Sequence, residues 1–164
     1  MDGSAPQRID GGLEVMALMT RPRLELIEPL ANYNMKLTFR NGAVYVVDFK
    51  LFFPECHGLA PLKNPDVFAK GVLDESGWFV EWLQQDIQIG ADTLWMDAQA
   101  QNAPDENTRF FTSWRARYGL SLKQAAEAIG VTPRTISAYS TGARPIPKTV
   151  QLACIGWETL HKAA

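Results

Sequence analysis

Gly130-Val131-Thr132-Pro133 packs a helix stop and a helix start into four residues, and few chain paths satisfy both. Gly130 follows Leu122, Ala125, Ala126 and Ile129, which recur at helical spacing, and stands where a helix end favours a left-handed residue. Thr132 is a good N-cap, and Pro133 suits the first helical position, whose N–H has no intrahelical partner in any case. Upstream, Ser121 stands three residues before Gln124, an S-x-x-Q capping box. The spacing predicts two short helices, over 122–129 and 133–141, joined by a very tight turn. Ala126 is small enough for the two to approach closely, Ile136 and Tyr139 turn inward at i, i+3, and Gly142 ends the second helix. This is a helix-turn-helix unit.

Flanking patterns enlarge it to a four-helix bundle. Phe110, Phe111, Trp114 and Tyr118 share one helical face before Gly119. Pro145 and Pro147 bracket a turn before a last helix from Lys148 to about Lys162, with Val150, Cys154, Trp157 and Leu160 or His161 in one stripe. On the 133–141 helix the outward residues are Pro133, Arg134, Ser137, Ala138 and Thr141, a surface that suits a DNA major groove. An arginine in the first turn of a helix is badly placed for the macrodipole, so Arg134 is read as meeting an anion or a base.

Charge is divided along the chain. The net value is −2, yet residues 1–102 hold 14 acidic against 8 basic side chains, and residues 103–164 hold 4 against 8. An excess of cations confined to the helical half points to a polyanionic partner for that half. The longest stretches without a charged residue have nine residues, far short of the roughly 20 that a bilayer-spanning helix needs. No membrane partner is expected. Asp2, Asp10 and Glu14 break up any secretory leader, and Cys56 and Cys154 lack metal or redox spacing, so the expected location is the cytoplasm.

The expected organisation is a loose arm over 1–22, an α+β domain over 23–97, a linker over 98–107 and the helical domain over 108–164. The polar run Ala98 to Asn107, with Pro104, supplies the linker. In the α+β domain, Met35, Leu37 and Phe39 alternate with Lys36, Thr38 and Arg40, and Asn41-Gly42 follows, predicting a hairpin with a two-residue turn. That turn pairs Arg40 with Ala43, Phe39 with Val44 and Leu37 with Val46. Arg23 to Leu30 supplies a third strand, Pro61 to Lys70 a short helix, and Gly77 to Trp82 another strand. The fold class is therefore α+β, with mainly antiparallel strands first and an all-α bundle after them.

Two resemblances add to this. Residues 23–97, with "PLKNPDVFAKG", "GWFVEW" and "ADTLWMD", are similar to a small bacterial domain family of unknown function, often joined to a DNA-binding module and in some cases grouped with antitoxins. "GLSLKQAAEAIGVTPRTISAYSTG" resembles the phage-repressor (Cro-like, XRE-type) helix-turn-helix family, with Ala126, Ile129, Gly130, Val131, Thr132, Ile136, Ser137, Tyr139 and Gly142 at the pattern's positions. The second resemblance implies a lambda-repressor-like bundle over about 108–162 that binds double-stranded DNA. It implies base reading by Pro133, Arg134 and Ala138, and phosphate contacts from the start of the 122–129 helix, where Lys123 and Gln124 stand, and from Arg144. Thr132 and Ser137 are expected to extend the base-reading face, and Thr135, Lys148 and the arginines of the bundle's first helix to add to phosphate neutralisation. Leu122 stands where the family often has glutamine, so the usual amide clamp is absent. Many relatives add a fifth, dimerising helix; here a homodimer is expected through the N-terminal domain, with a toxin as a further candidate partner.

Other chemistry is weakly supported. Cys56 and His57 are adjacent, a spacing that seldom chelates one ion, and Asp48 with Glu81 would make an acid/base pair only if both left solvent. Neither a G-x-S-x-G elbow nor H-E-x-x-H nor a glycine-rich phosphate loop occurs. No catalytic residue, metal or cofactor is expected. The competing reading is a repressor-like bundle used to bind protein rather than DNA.

Overall fold

The computed structural model describes residues 21–163, so the arm expected over 1–22 lies outside the described residues as far as residue 20. The described chain divides into two units, Pro22–Asn102 and the residues from Ala103 onward.

The first unit holds two three-stranded antiparallel sheets. Strands β1 (Leu24–Pro29), β2 (Asn34–Phe39) and β3 (Val44–Asp48) lie in that order. A 3-10 turn over His57–Lys63 leads to a one-turn helix α1 (Pro65–Phe68), capped by Asn64. Strands β4 (Val72–Leu73), β5 (Phe79–Trp82) and β6 (Ile87–Gly90) make the second sheet, and helix α2 (Ala91–Gln101) closes the unit. Leu24, Met35, Leu37, Phe39, Val47, Phe49, Leu62, Val80, Trp82 and Leu94 form its core. The Trp82 indole donates its N–H to the Phe68 carbonyl at 3.0 Å, so the buried ring leaves no donor unpaired.

The hairpin register differs by one residue from the expected one. Leu37 faces Tyr45, Met35 faces Val47 and Thr38 faces Val44. The turn has three residues: Phe39 N–H donates to the Ala43 carbonyl at 2.8 Å, and Gly42 sits at φ +91. The Asn41 side-chain oxygen also accepts from Ala43 N–H at 3.0 Å, which favours the wider turn. Since side chains alternate, the slip turns Val44 and Val46 outward and puts Val47 and Tyr45 on the core side.

Residues 98–101, assigned by composition to a linker, are the last turn of α2. Ala98 is wholly buried, and Gln99 nearly so. The polar residues there serve the sheet edge. The Gln101 carboxamide accepts from Asp48 N–H at 2.7 Å and donates to its carbonyl at 3.1 Å, while the Asn102 carboxamide donates to the Val46 carbonyl at 3.1 Å. Two side chains thus take the place of a neighbouring strand on β3, an edge that would otherwise offer open backbone groups.

The second unit contains α3 (Glu106–Tyr118), α4 (Leu122–Ile129), α5 (Pro133–Thr141) and α6 (Lys148–Ala163). Its core is Phe111, Trp114, Leu120, Ala125, Ala126, Ile136, Tyr139, Ile146, Val150 and Cys154. Phe110, expected on the inner face of α3, is 38% exposed, because the face that packs runs through Phe111, Trp114 and Arg115. On α6 the inner stripe continues to His161, stacked on Trp157 with ring centroids 4.5 Å apart, and not to Leu160. Among the described residues, no helix is long and apolar enough to cross a membrane.

Candidate nucleic-acid interface

Local chemistry fixes α4 and α5 end by end. The Ser121 hydroxyl accepts from Gln124 N–H at 3.1 Å, and the Gln124 side-chain oxygen accepts from Ser121 N–H at 3.0 Å. Gly130, at φ +77, stops α4, and its N–H donates to the Ala126 carbonyl at 2.9 Å. Thr132 caps α5 by accepting from Thr135 N–H at 3.2 Å. Ile136 is wholly buried and Tyr139 nearly so, its ring edge-on to Phe111. These contacts hold one face of α5 against the bundle and leave the other outward.

That outward face carries the residues singled out in the sequence. Thr132, Pro133 and Arg134 are exposed, and Ser137 and Ala138 half-buried. Lys123, Gln124, Arg144 and Lys148 are exposed, and Thr135 is half-buried. After Gly142 the chain folds back, since Arg144 N–H donates to the Ala138 carbonyl at 3.2 Å. The Arg144 guanidinium thereby comes 3.5 Å from the Thr135 hydroxyl, beside the first turn of α5. Two assigned roles are narrowed by the caps. The Thr132 hydroxyl is engaged in starting α5, and one atom of the Gln124 amide in starting α4.

A helix-turn-helix family model (HTH_3) matches residues 113–153, from the middle of α3 into α6. Among solved structures, the chain is similar to the crystal structure of NE0471, a candidate DNA binding protein from Nitrosomonas europaea ATCC 19718. The two share 36% identity over 84% of this chain and 86% of that one, with a TM-score of 0.52. The chain belongs to the same family as NE0471. Residues 113–153 are a helix-turn-helix segment of the XRE type. No curated protein matches the chain.

One arginine of the bundle's first helix, expected to meet phosphates, organises the domain from inside instead. Arg115 is buried on α3, where its Nε donates to the Leu120 carbonyl at 3.1 Å and its Nη1 donates to the Ser140 hydroxyl at 2.8 Å. Ser140 in turn donates to the Ile136 carbonyl at 2.8 Å. Burial pushes the Arg115 guanidinium down to about 10. The signal was present in the spacing: Arg115 lies four residues after Phe111 and three before Tyr118, on the inner stripe.

The arginines of α3, expected to add to phosphate neutralisation, have partners within the domain. Arg109 pairs with Glu106 at 2.8 Å and Arg117 with Glu158 at 3.2 Å, while Arg115 is inside. Lys123 and Lys148 have no ion pair among the described residues. Elsewhere, Asp48 starts a 3-10 turn by accepting from Lys50 N–H at 2.9 Å, and Glu81 accepts from the Gln88 amide at 2.6 Å. Both carboxylates have local structural partners. Among the described residues, no group of three or more His, Cys, Asp or Glu is placed to hold a metal. Burial raises the Cys154 thiol to about 12, so it stays protonated, and Cys56 is exposed.

Proposed function

We propose that this protein is a sequence-specific DNA-binding regulator of a bacterial cytoplasm that lays α5 in the major groove. The observation that carries this is the outward face of α5, pinned from behind by Ile136, Tyr139 and Ser140, with Arg144 folded back beside its first turn. In this reading Arg134 donates bidentately to guanine O6 and N7, worth about 1–3 kcal/mol of discrimination. Pro133 and Ala138 offer apolar contact to thymine methyls, and the Ser137 hydroxyl meets either base type. Thr132 contributes its methyl, because its hydroxyl caps the helix. Lys123, the amide N–H of Gln124, Thr135, Arg144 and Lys148 take phosphates, which fix register without reading sequence. Two copies would meet pseudo-palindromic half-sites about 34 Å apart. No catalytic step is assigned, and a toxin bound by the N-terminal unit would make the protein antitoxin-like.

A second reading, a bundle that binds protein instead, is favoured by the loss of the α3 arginines to Glu106, Glu158 and the core. Fluorescence anisotropy with duplex DNA at low and physiological salt separates the two. DNA binding predicts a linear fall of log affinity with log salt, and Arg144→Ala should lower the slope by about 1 on every sequence. Arg134→Ala should instead relax discrimination at one base pair. Absence of salt-dependent binding in the wild type, or identical losses from both variants on all sequences, refutes the proposed division of roles.

A further inference from the structure

Arg23, where the chain enters β1, and Arg40, where it leaves β2, are cross-strand neighbours, the Arg40 N–H donating to the Arg23 carbonyl at 2.9 Å. The loop before β5, turned by Gly77 at φ +77, brings the Ser76 carbonyl to both side chains. Arg23 donates to that oxygen from Nε at 2.9 Å and also from Nη2, and Arg40 donates from its own Nη2 at 3.2 Å. The Arg23 guanidinium lies over the Trp78 ring, 4.6 Å from its centroid. A guanidinium has five N–H donors, so most donors of both arginines are left over. Among the described residues, neither side chain has a further hydrogen bond or an ion pair. In the same loop the Asp74 carboxylate is taken up by the N–H groups of Ser76 and Phe79, at 3.1 and 2.8 Å. Glu25 and Glu75 are exposed and pair with neither arginine.

We propose that Arg23 and Arg40 form a binding site for a phosphate dianion, carried by a small phosphorylated molecule or free in solution. The two Nη2 atoms share one acceptor, so they stand no more than about 6 Å apart, where like charges repel and one anion can meet both. A single carbonyl dipole offsets only part of that repulsion. A carboxylate has one charge and is satisfied by one arginine fork, whereas a phosphate dianion has two charges and three oxygens and uses both forks. The Ser76 carbonyl and the Trp78 ring hold the guanidiniums in place beforehand, so less side-chain order is lost when the anion arrives. A DNA phosphodiester carries one charge only, which separates this site from the phosphate contacts assigned to α4 and α5. The N-terminal unit would thus take a phosphorylated small molecule as its ligand, whether or not the helical unit binds DNA.

Titration of the full chain without DNA, followed by proton–nitrogen correlation spectra at constant ionic strength, tests the site apart from the DNA reading. Inorganic phosphate and glycerol phosphate should each shift, saturably, the amides of Arg23, Arg40, Ser76 and Gly77 and the Trp78 indole N–H. Tighter binding of glycerol phosphate assigns the site to a phosphorylated molecule, and tighter binding of inorganic phosphate to the free ion. The affinity for glycerol phosphate should rise about tenfold from pH 5 to pH 7, as its second proton leaves near pH 6. Dimethyl phosphate, a monoanion throughout, and acetate should bind at least about tenfold more weakly at pH 7. Arg23→Gln and Arg40→Gln should each lower the phosphate affinity at least about tenfold. Arg40→Lys keeps the charge without the fork and should lose part of the affinity, which tests the site even if a glutamine variant unfolds. Absence of saturable shifts, shifts that spare these residues, or binding that survives all three substitutions overturns the proposal. Acetate or dimethyl phosphate binding as tightly as glycerol phosphate overturns the assignment to a dianion.

Discussion

Asp97, on the second turn of α2, is a carboxyl placed where ionisation is unfavourable. Burial, reinforced by the negative charge of Glu55, raises it to about 6. The folded chain therefore holds a proton between about pH 4 and 6 that the unfolded chain has released. The stability this supplies is complete below the unfolded value and is lost as pH rises through the folded one. Raising a carboxyl from about 4 to about 6 corresponds to about 3 kcal/mol, which solvent reaching the half-buried group reduces to roughly 2 kcal/mol. Asn has the shape of the protonated acid without its titration. Asp97→Asn should thus stabilise the N-terminal unit by about 2 kcal/mol at pH 7, raising its thermal midpoint by on the order of 10 °C. At pH 4 the variant and wild type should melt together. Melting followed by calorimetry at the two pH values makes the comparison. An equal gain at both, or destabilisation at pH 7, would refute the reasoning, the latter by showing that the carboxylate is itself a needed hydrogen-bond acceptor.

Ser140→Ala leaves a buried Arg115 N–H without its acceptor and should cost the helical unit about 1.5–3 kcal/mol in urea unfolding followed by tryptophan fluorescence. No loss would remove Arg115 from the account of how α5 is held. Gly77 lies at φ +77, and a Cβ there would stand 2.2 Å from the Leu24 carbonyl oxygen, so Gly77→Ala should destabilise the N-terminal unit by at least about 2 kcal/mol in the same assay. Iodoacetamide at pH 8, read by mass spectrometry, should label Cys56 and spare Cys154 until the chain is unfolded, since only the former is exposed.

What could be read in advance follows the range of the interaction. The caps at Ser121 and Thr132, the stops at Gly130 and Gly142 and the inward pair Ile136 and Tyr139 depend on neighbours within four residues, and each holds in the structure. The hairpin was also visible, but its register was not. Asn41-Gly42 permits a two-residue or a three-residue turn, and the choice sets Tyr45 and Ala43, rather than Val46 and Val44, opposite Leu37 and Phe39. The carboxamides of Gln101 and Asn102 read as linker because composition cannot show that β3, some fifty residues earlier, leaves its edge for them. Arg115 was hidden by its charge, since its hydroxyl partner lies 25 residues away. Along the candidate interface, exposure could be inferred from periodicity, whereas the approach of Arg144 to Thr135 depends on the backbone bond to Ala138.

Selection of bound fragments from a random duplex pool, run in parallel with the wild type and Arg134→Ala, tests the role of α5 most directly. The wild type should enrich a short motif with a guanine at one fixed position, and the variant should enrich the same motif with that position relaxed. Recovery of no motif by the wild type, or an unchanged guanine preference in the variant, would contradict the account.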